Sequence, residues 1–458
     1  MFHRTKLYFP WKPQILLMQS VSQVVVQPIE LNSSFEIDFM VKFDVGDLVR
    51  VNGHGFEYTG TIMPSEGNIV MIKLENGYNV GVYHKRIRTT HLITRAKQKP
   101  TILSKTKSQS GHPKVTIIST GGTITSKVDY KTGAVSPLTR PEDLIANVPE
   151  LAKLADIKIL APFSKFSEDL TPQDWQKIAD SVAHELNNGA QGVVVTHGTD
   201  TLHYTAAALS FMLKDLSKPV ALVGGQRSSD RGSFDGHQNL ICAVQYALSN
   251  IAEVAVVMHA NSDDDICYAI RGTKVRKMHS SRRDAFRPIN CSAFAEIHPQ
   301  DGVKVTDKKT NRRSNSKVVL ANQLEPKVAL IKYSPGLHAD VLDYYVDKGY
   351  KGIILEGTGF GHVAEDWKPH IERAVKHAVI CMTTQTIYGA TNPKVYSKGR
   401  QLEEAGVVFC NDTLAETAYI KLMILLKRTK NLEDVKKMMT ENLAGEINNR
   451  IEKKSFLY

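Results

Sequence analysis

Apolar residues fall into short runs along most of the chain, and the spacing between the runs changes character twice. From Val41 to about His91 the runs are brief: Leu48–Val51, Phe56–Pro64, Ile69–Leu74 and Tyr78–Tyr83. Gly-containing turns such as Asp44-Val45-Gly46-Asp47 and Glu75-Asn76-Gly77 separate them, which is the pattern of β-strands. Asn76-Gly77 is a hairpin signal, because both residue types accept the positive φ of a tight primed turn. Four or five strands in this stretch predict a small SH3-like β-barrel over residues 41–91, a module that binds or docks more often than it catalyses. Residues 1–40 show no amphipathic period, and Met18 and Met40 are internal methionines. That segment is expected to be a leader, either disordered or a mis-assigned start. Residues 92–113 are rich in Lys, Thr, Ser and Pro and predict a linker.

Beyond the linker, apolar strands alternate with helical patterns. Val115–Ser119, Gly192–Thr196, Pro219–Val223 and Glu253–Met258 read as buried strands. Between them Thr171–Leu186 reads as a helix, with Thr171 as cap and Pro172 in its first turn. A polar break at Thr306–Lys317 opens a linker spanning 306–325. A second series follows, with strands at Lys327–Tyr333, Gly352–Glu356, Ala378–Thr383 and Gly406–Cys410 and a tail over 446–458. Such β-α alternation predicts an α/β fold with two parallel-sheet domains, residues 114–305 and 326–445, each covered by helices on both faces.

Composition narrows the function classes. In 458 residues, 42% apolar and 23% charged is an ordinary globular balance, and the longest largely apolar stretches, such as Ile420–Leu426 with its single Lys421, are far short of a membrane span. Five cysteines (242, 267, 291, 381 and 410) carry no CxxC or CxxH spacing, which points to a reducing cytoplasm and away from a disulfide framework or structural zinc. The net charge of +11 is uneven: His84–Lys114 holds nine Lys or Arg and no acid, and further basic clusters lie at Arg271–Arg287 and Lys304–Lys317. These clusters are either solvated surface or contacts for a phosphate backbone.

The candidate chemistry sits on two threonine-bearing loops. Thr120-Gly121-Gly122-Thr123-Ile124 and His197-Gly198-Thr199-Asp200-Thr201 each follow an apolar strand, at the end where open α/β sheets place their ligands. A threonine hydroxyl is a weak nucleophile and needs a proton acceptor beside it. Thr123 has Tyr130 a few residues on, in a segment that could act as a lid, and Thr199 has Asp200 next to it. Lys277 is a third candidate, since a partly desolvated lysine beside an acid can shuttle protons. Hydroxyl nucleophiles near an acid suggest attack on a carbonyl carbon. There is no G-x-x-x-x-G-K-[ST] segment, so an ATP-dependent step would have to occur elsewhere, and His197 and His203 lack metal-ligand spacing.

Taken in order, these motifs resemble the L-asparaginase/glutaminase family. Asp129-Tyr130-Lys131-Thr132-Gly133 looks like its lid segment, and Ser167-Glu168-Asp169, with Trp175 downstream, resembles the strand that contacts the substrate's charged head. Arg271-Gly272 through Lys277 to Asp284-Ala285-Phe286 is similar to the segment holding that family's catalytic lysine, and Lys274 is out of register with it. The similarity covers roughly residues 114 to 440. It implies Thr123 as the attacking residue assisted by Tyr130, with Thr199, Asp200 and Lys277 as a second hydrogen-bonded group. Ser167, Glu168 and Asp200 would hold the substrate. A homodimer core, with a carboxylate added from a partner's second domain, is a further implication; no residue is assigned to it.

Two features depart from plain asparaginases: Glu168 in place of the usual Gln, and the amino-terminal barrel with its basic linker. Together with Ser167-Glu168-Asp169-Leu170-Thr171-Pro172, they resemble the GatD family of archaeal glutamyl-tRNA(Gln) amidotransferases. That resemblance implies ammonia release from glutamine or asparagine and its transfer to a GatE-type partner. The partner would use ATP and Mg to activate Glu-tRNA(Gln), leaving no cofactor or metal in this chain. A free-standing asparaginase or glutaminase with an accessory barrel is the alternative. A catalytically inactive RNA-binding protein is a third reading, disfavoured because each matched catalytic position holds the expected residue type.

Overall fold

The computed structural model describes residues 43–44, 46–63, 65, 68–74, 79–95, 111–122, 126–128, 135–137, 148–227 and 234–456. The leader at 1–40, most of the linker, the Asn76-Gly77 turn, Thr123 and the Asp129–Gly133 segment with Tyr130 lie outside them.

The amino-terminal strands Leu48–Gly53, Phe56–Met63, Ile69–Leu74, Asn79–Tyr83 and Ile87–Thr94 form one antiparallel sheet. The last strand returns to pair with the first, and alternate residues Val49, Val51, Ile62, Val70, Ile72, Val82 and Ile87 fill its core. The barrel therefore runs past His91. Leu92 and Thr94 are paired to Val49 and Leu48 and belong to the sheet, although the sequence there reads as the start of a linker.

The first α/β domain is built on eight strands in the order Gly302–Val305, Ala295–His298, Cys267–Arg271, Val254–His259, Val220–Val223, Gly192–Thr196, Lys114–Ser119 and Asp156–Leu160. The last five are parallel and the first three add on in antiparallel fashion, so this sheet is mixed, whereas the second domain's is parallel throughout. From Lys114–Ser119 the chain crosses to the edge strand Asp156–Leu160, then returns to the other side with Gly192–Thr196. Strand order thus reverses between Lys114–Ser119 and Gly192–Thr196. The crevice above such a reversal is where doubly wound sheets bind ligands.

Helix Pro172–Asn187 starts at a capping box in which Thr171 and Asp174 satisfy each other's backbone N–H. Burial opposes ionisation of Asp174, but the Lys165 ammonium at 2.7 Å and the Thr171 N–H and hydroxyl outweigh it and pull the carboxyl down to about 2. A depressed carboxyl pKa adds stability above its unfolded value, and that stability is lost as pH falls through the folded one. Asp174→Asn should therefore lower the denaturation midpoint at neutral pH, and its gap from wild type should close between about pH 4 and about pH 2. A gap that stayed constant across that window would refute this role.

The second domain is a parallel sheet of Val328–Lys332, Gly352–Gly357, Val379–Thr384 and Val408–Phe409. Its long helix Ala415–Arg428 packs on that sheet and also on helix Leu202–Met212 of the first domain, and one apolar core runs through both. The connector at 306–325 is not a free linker. Arg313 donates to the carbonyls of Gln191, Ala247 and Ser249, and Val319–Leu320 pairs with Leu213–Lys214. Nor is 446–458 a loose tail, because Glu446 is buried in an ion pair and Asn448 bonds to Asp412. Among the described residues no helix is long and apolar enough to cross a membrane, and all five cysteines are free.

Candidate active site

Three segments meet at the reversal point. The first leaves Lys114–Ser119: Thr120 donates its hydroxyl to Thr196 O at 2.9 Å and accepts at its carbonyl from Lys165 N. Gly121 and Gly122 follow at φ +106° and +87°, a backbone that L side chains rarely adopt. A Cβ on Gly122 would lie 2.3 Å from Gly198 N, and one on Gly121 would lie 2.4 Å from Lys165 O. Gly122 therefore lets the first threonine loop stack directly on the second, and Gly121 lets it pass against the backbone of Lys165. This delivers the chain to the neighbourhood of Thr199 at the residue just before Thr123.

The second segment leaves Gly192–Thr196. Here Thr199 is buried and Asp200 is exposed, its side chain 69% accessible. The third, Ser167–Asp169, is a 3-10 turn rather than a strand, because Asp169 N bonds back to Phe166 O and Leu170 N to Ser167 O. Ser167 is buried against Gly198, where an added Cβ would come within 2.9 Å of its hydroxyl. Thr201 anchors the turn by donating to Ser167 O at 2.7 Å, and Ser167 donates a long hydrogen bond (3.4 Å) to the exposed Glu168.

Lys277 reaches this crevice from a two-stranded ribbon, Val275–Lys277 paired with Phe286–Pro288. Its ammonium donates to Thr199 Oγ1 at 2.8 Å and to Asp200 Oδ1 at 2.7 Å, with the lysine side chain 9% accessible. Asp284 locks the ribbon's turn by accepting from Arg282 and Arg287. Lys274 turns the other way and buries its ammonium against Asp412 of the second domain at 2.6 Å. The structure thus brings Thr199, Asp200, Lys277, Ser167 and Glu168 to one crevice.

A further contact was not legible in the sequence. Gln226, on the loop after Val220–Val223, has its Oε1 3.5 Å from the Thr199 hydroxyl, and its amide nitrogen is buried without a partner among the described residues. The apolar strand and Gly224-Gly225 before it mark a third strand-end loop, which was the available signal.

His197 and His203 are buried in packing roles. Burial drives His197 down to about 4 against a hydrogen bond with Gly198 O, and its Nε2 meets Thr205. Burial, then Arg276, pushes His203 to about 3, so its 3.6 Å approach to Glu416 is not an ion pair. Among the described residues no cluster of three or more His, Cys, Asp or Glu could hold a metal.

The cations of the basic cluster Arg271–Arg287 are ion-paired, Lys274 in the interior and Arg282 at the surface. Arg271 pairs with Glu253, Lys274 with Asp412, Arg276 with Glu416, Lys277 with Asp200, Arg282 and Arg287 with Asp284, and Arg283 with Asp264. Each of these cations has a carboxylate within ion-pair distance, with Arg282 and Arg287 sharing Asp284, so the segment is far less positive than its sequence alone suggests.

Comparison with known proteins agrees with this architecture domain by domain. Residues 114–311 match the family model "Asparaginase, N-terminal", 327–439 match "Glutaminase/Asparaginase C-terminal domain", and 43–93 match "GatD N-terminal domain". Solved L-asparaginases share the fold. The thermostable enzyme from Thermococcus kodakarensis superposes with TM-score 0.66 at 31% identity over 74% of this chain and 100% of its own. L-asparaginase I from Vibrio cholerae gives 0.64 at 28% identity over 74% and 99%. The glutamyl-tRNA(Gln) amidotransferase protein GatD of Pyrococcus abyssi is 52% identical over 88% of this chain and 95% of its own length. That of Pyrococcus furiosus is 50% identical over 90% and 97%. The chain belongs to the GatD family of glutamyl-tRNA(Gln) amidotransferases. Within that family's arrangement, the asparaginase-type amidohydrolase part is the two α/β domains, and the amino-terminal sheet is the GatD N-terminal domain.

Proposed function

We propose that this chain releases ammonia from the side-chain amide of glutamine or asparagine and supplies it to a partner protein that converts Glu-tRNA(Gln) to Gln-tRNA(Gln). The observation that carries the reading is the Thr199–Lys277–Asp200 group assembled beside the loop that leads into Thr123. In this scheme the Thr123 hydroxyl, assisted by Tyr130, attacks the carboxamide carbon. Its proton passes toward the amide nitrogen through the neighbouring groups, the C–N bond breaks and ammonia leaves. Water then cleaves the resulting ester, releasing the acid and restoring the hydroxyl. Lys277 keeps Thr199 and Asp200 in register for proton transfer, and Asp200, Ser167 and Glu168 face the substrate's charged head group. Two exposed carboxylates at the mouth, Asp200 and Glu168, suit an α-ammonium group.

The partner would be of the GatE type and would supply the ATP- and Mg-dependent activation of the glutamyl end; this chain would act in the cytoplasm, on a homodimer core. The test is ammonia release from glutamine by the purified chain alone, then with partner, Glu-tRNA(Gln) and ATP added in turn. Stimulation by about tenfold or more with the complete set is expected. Full activity from the chain alone would instead make it a free-standing amidohydrolase with an accessory barrel.

A further inference from the structure

A chain of hydrogen bonds, buried at Asn239 and His259 and surfacing at Asp264, runs from the loop beside Thr199 to the turn beyond Lys277, and its centre is His259. Asp235, fully buried, accepts from the backbone N–H of Gln226 and of Arg227 at 3.0 Å, which fixes the 224–227 loop. Gly224 in that loop sits so close to Thr199 that an added Cβ would lie 2.8 Å from its methyl group. Asn239 donates its amide to Gly224 O at 3.0 Å and to Asp235 Oδ2 at 3.2 Å, which leaves its Oδ1 to accept. His259 Nδ1 lies 2.6 Å from that oxygen, and its Nε2 lies 2.9 Å from Asp264 Oδ1. Asp264 then accepts from Arg283 at 2.9 Å, in the turn that joins the two strands of the Lys277 ribbon. A second clip, Arg287 Nη1 to Ala260 O at 2.7 Å, ties the same ribbon to the end of the strand that carries His259.

We infer that His259, together with Asn239 and Asp264, is a positioning residue that couples the loop behind Thr199 to the ribbon carrying Lys277. The inference rests on the proposed reaction and deepens it, since it names what sets the Thr199–Lys277 distance. A histidine suits the task because its two ring nitrogens reach partners on opposite sides, Nδ1 toward Asn239 and Nε2 toward Asp264. The alternative is a core histidine that merely satisfies its own polar atoms. The two differ at Asp264, whose side chain is 63% accessible. Exposed side chains are usually silent for stability, so a fall in turnover from changing this one requires coupling to the site.

The experiment compares wild type, Asp264→Ala, Asp264→Asn, His259→Phe and the Asp264→Ala/His259→Phe double variant in the full complex with glutamine, Glu-tRNA(Gln) and ATP. Asp264→Ala should lower kcat by about 3- to 30-fold with KM for glutamine unchanged within about twofold. Asp264→Asn keeps an acceptor oxygen and should recover most of the loss. The double variant should be no slower than His259→Phe, since both changes cut the same chain. An unchanged kcat in Asp264→Ala, or additive losses in the double variant, would overturn the coupling. Amide hydrogen exchange supplies a readout that does not depend on turnover. Asp264→Ala should speed exchange at Gln226 and Arg227 and in the 278–285 turn together, whereas unchanged protection in the 226–227 pair would overturn the inference. Absence of ammonia release from the wild-type complex would sink the proposed reaction, and the exchange result would still decide the coupling.

Discussion

Lys277→Met should cut ammonia release by about 10²- to 10⁴-fold while the protein remains folded. Methionine keeps the buried stem of the lysine and removes the ammonium that donates to both Thr199 Oγ1 and Asp200 Oδ1. The fold tolerates the loss because neither partner is left as a stranded buried charge. Asp200 is exposed, and Thr199 retains the Gln226 contact. Thr123→Ala should give a loss at least as large under the proposed reaction, because it removes the attacking hydroxyl. The measurement is kcat for ammonia release by the complex, with circular dichroism and the thermal midpoint as controls. A folded Lys277→Met protein with near-normal release would remove the lysine from proton transfer, and a near-normal Thr123→Ala protein would move the nucleophile elsewhere.

Much of the scaffold around these residues was readable in the chain because buried parallel strands leave a plain mark. Val115–Ser119 and Gly192–Thr196 are short apolar runs that end in threonine loops, and their apolarity follows from helices covering both faces of the sheet. The three antiparallel strands left no such mark. Ala295–His298 alternates buried Ala295 and Ile297 with polar Glu296 and His298 over only 4 residues, and Gly302–Val305 is no longer. The same logic divides the site. Thr199 and Asp200 are adjacent in sequence, and Lys277 is found by its register between Gly272 and Phe286. Gln226 and His259 come near the site only because of the order in which the strands lie side by side, which no local pattern states. The cations of Arg271–Arg287 are a related case. Most of their carboxylates, Glu253, Asp412, Glu416 and Asp200, lie outside the segment, so it reads as a bare basic patch although the fold pairs its cations.

The largest loss of stability is expected from Lys421→Met. Lys421 and Glu446 form an ion pair at 2.7 Å with both side chains 0% accessible. The ammonium also donates to the carbonyls of Met439 and Glu441, and the carboxylate accepts from Leu443 N and Ala444 N. Removing the lysine strands a buried carboxylate and two carbonyls, and breaking such a pair on one side costs about 3–5 kcal/mol. The same pair replaced whole, as Lys421→Met with Glu446→Leu, removes the stranded charge but orphans the two N–H groups. It should therefore recover part of the loss and no more. Local opening will precede global unfolding, because the pair pins the segment 439–448 to helix Ala415–Arg428. That segment holds Thr273 through Ala444 O at 3.0 Å and packs Gly445 against the Arg271 side chain, just before the strand that presents Lys277. Lys421→Met should consequently raise hydrogen exchange in both 439–448 and 271–277 and lower turnover well below the denaturation midpoint. Loss of stability confined to the C-terminal segment, with turnover per folded molecule unchanged, would show that the buttress stops short of Lys277.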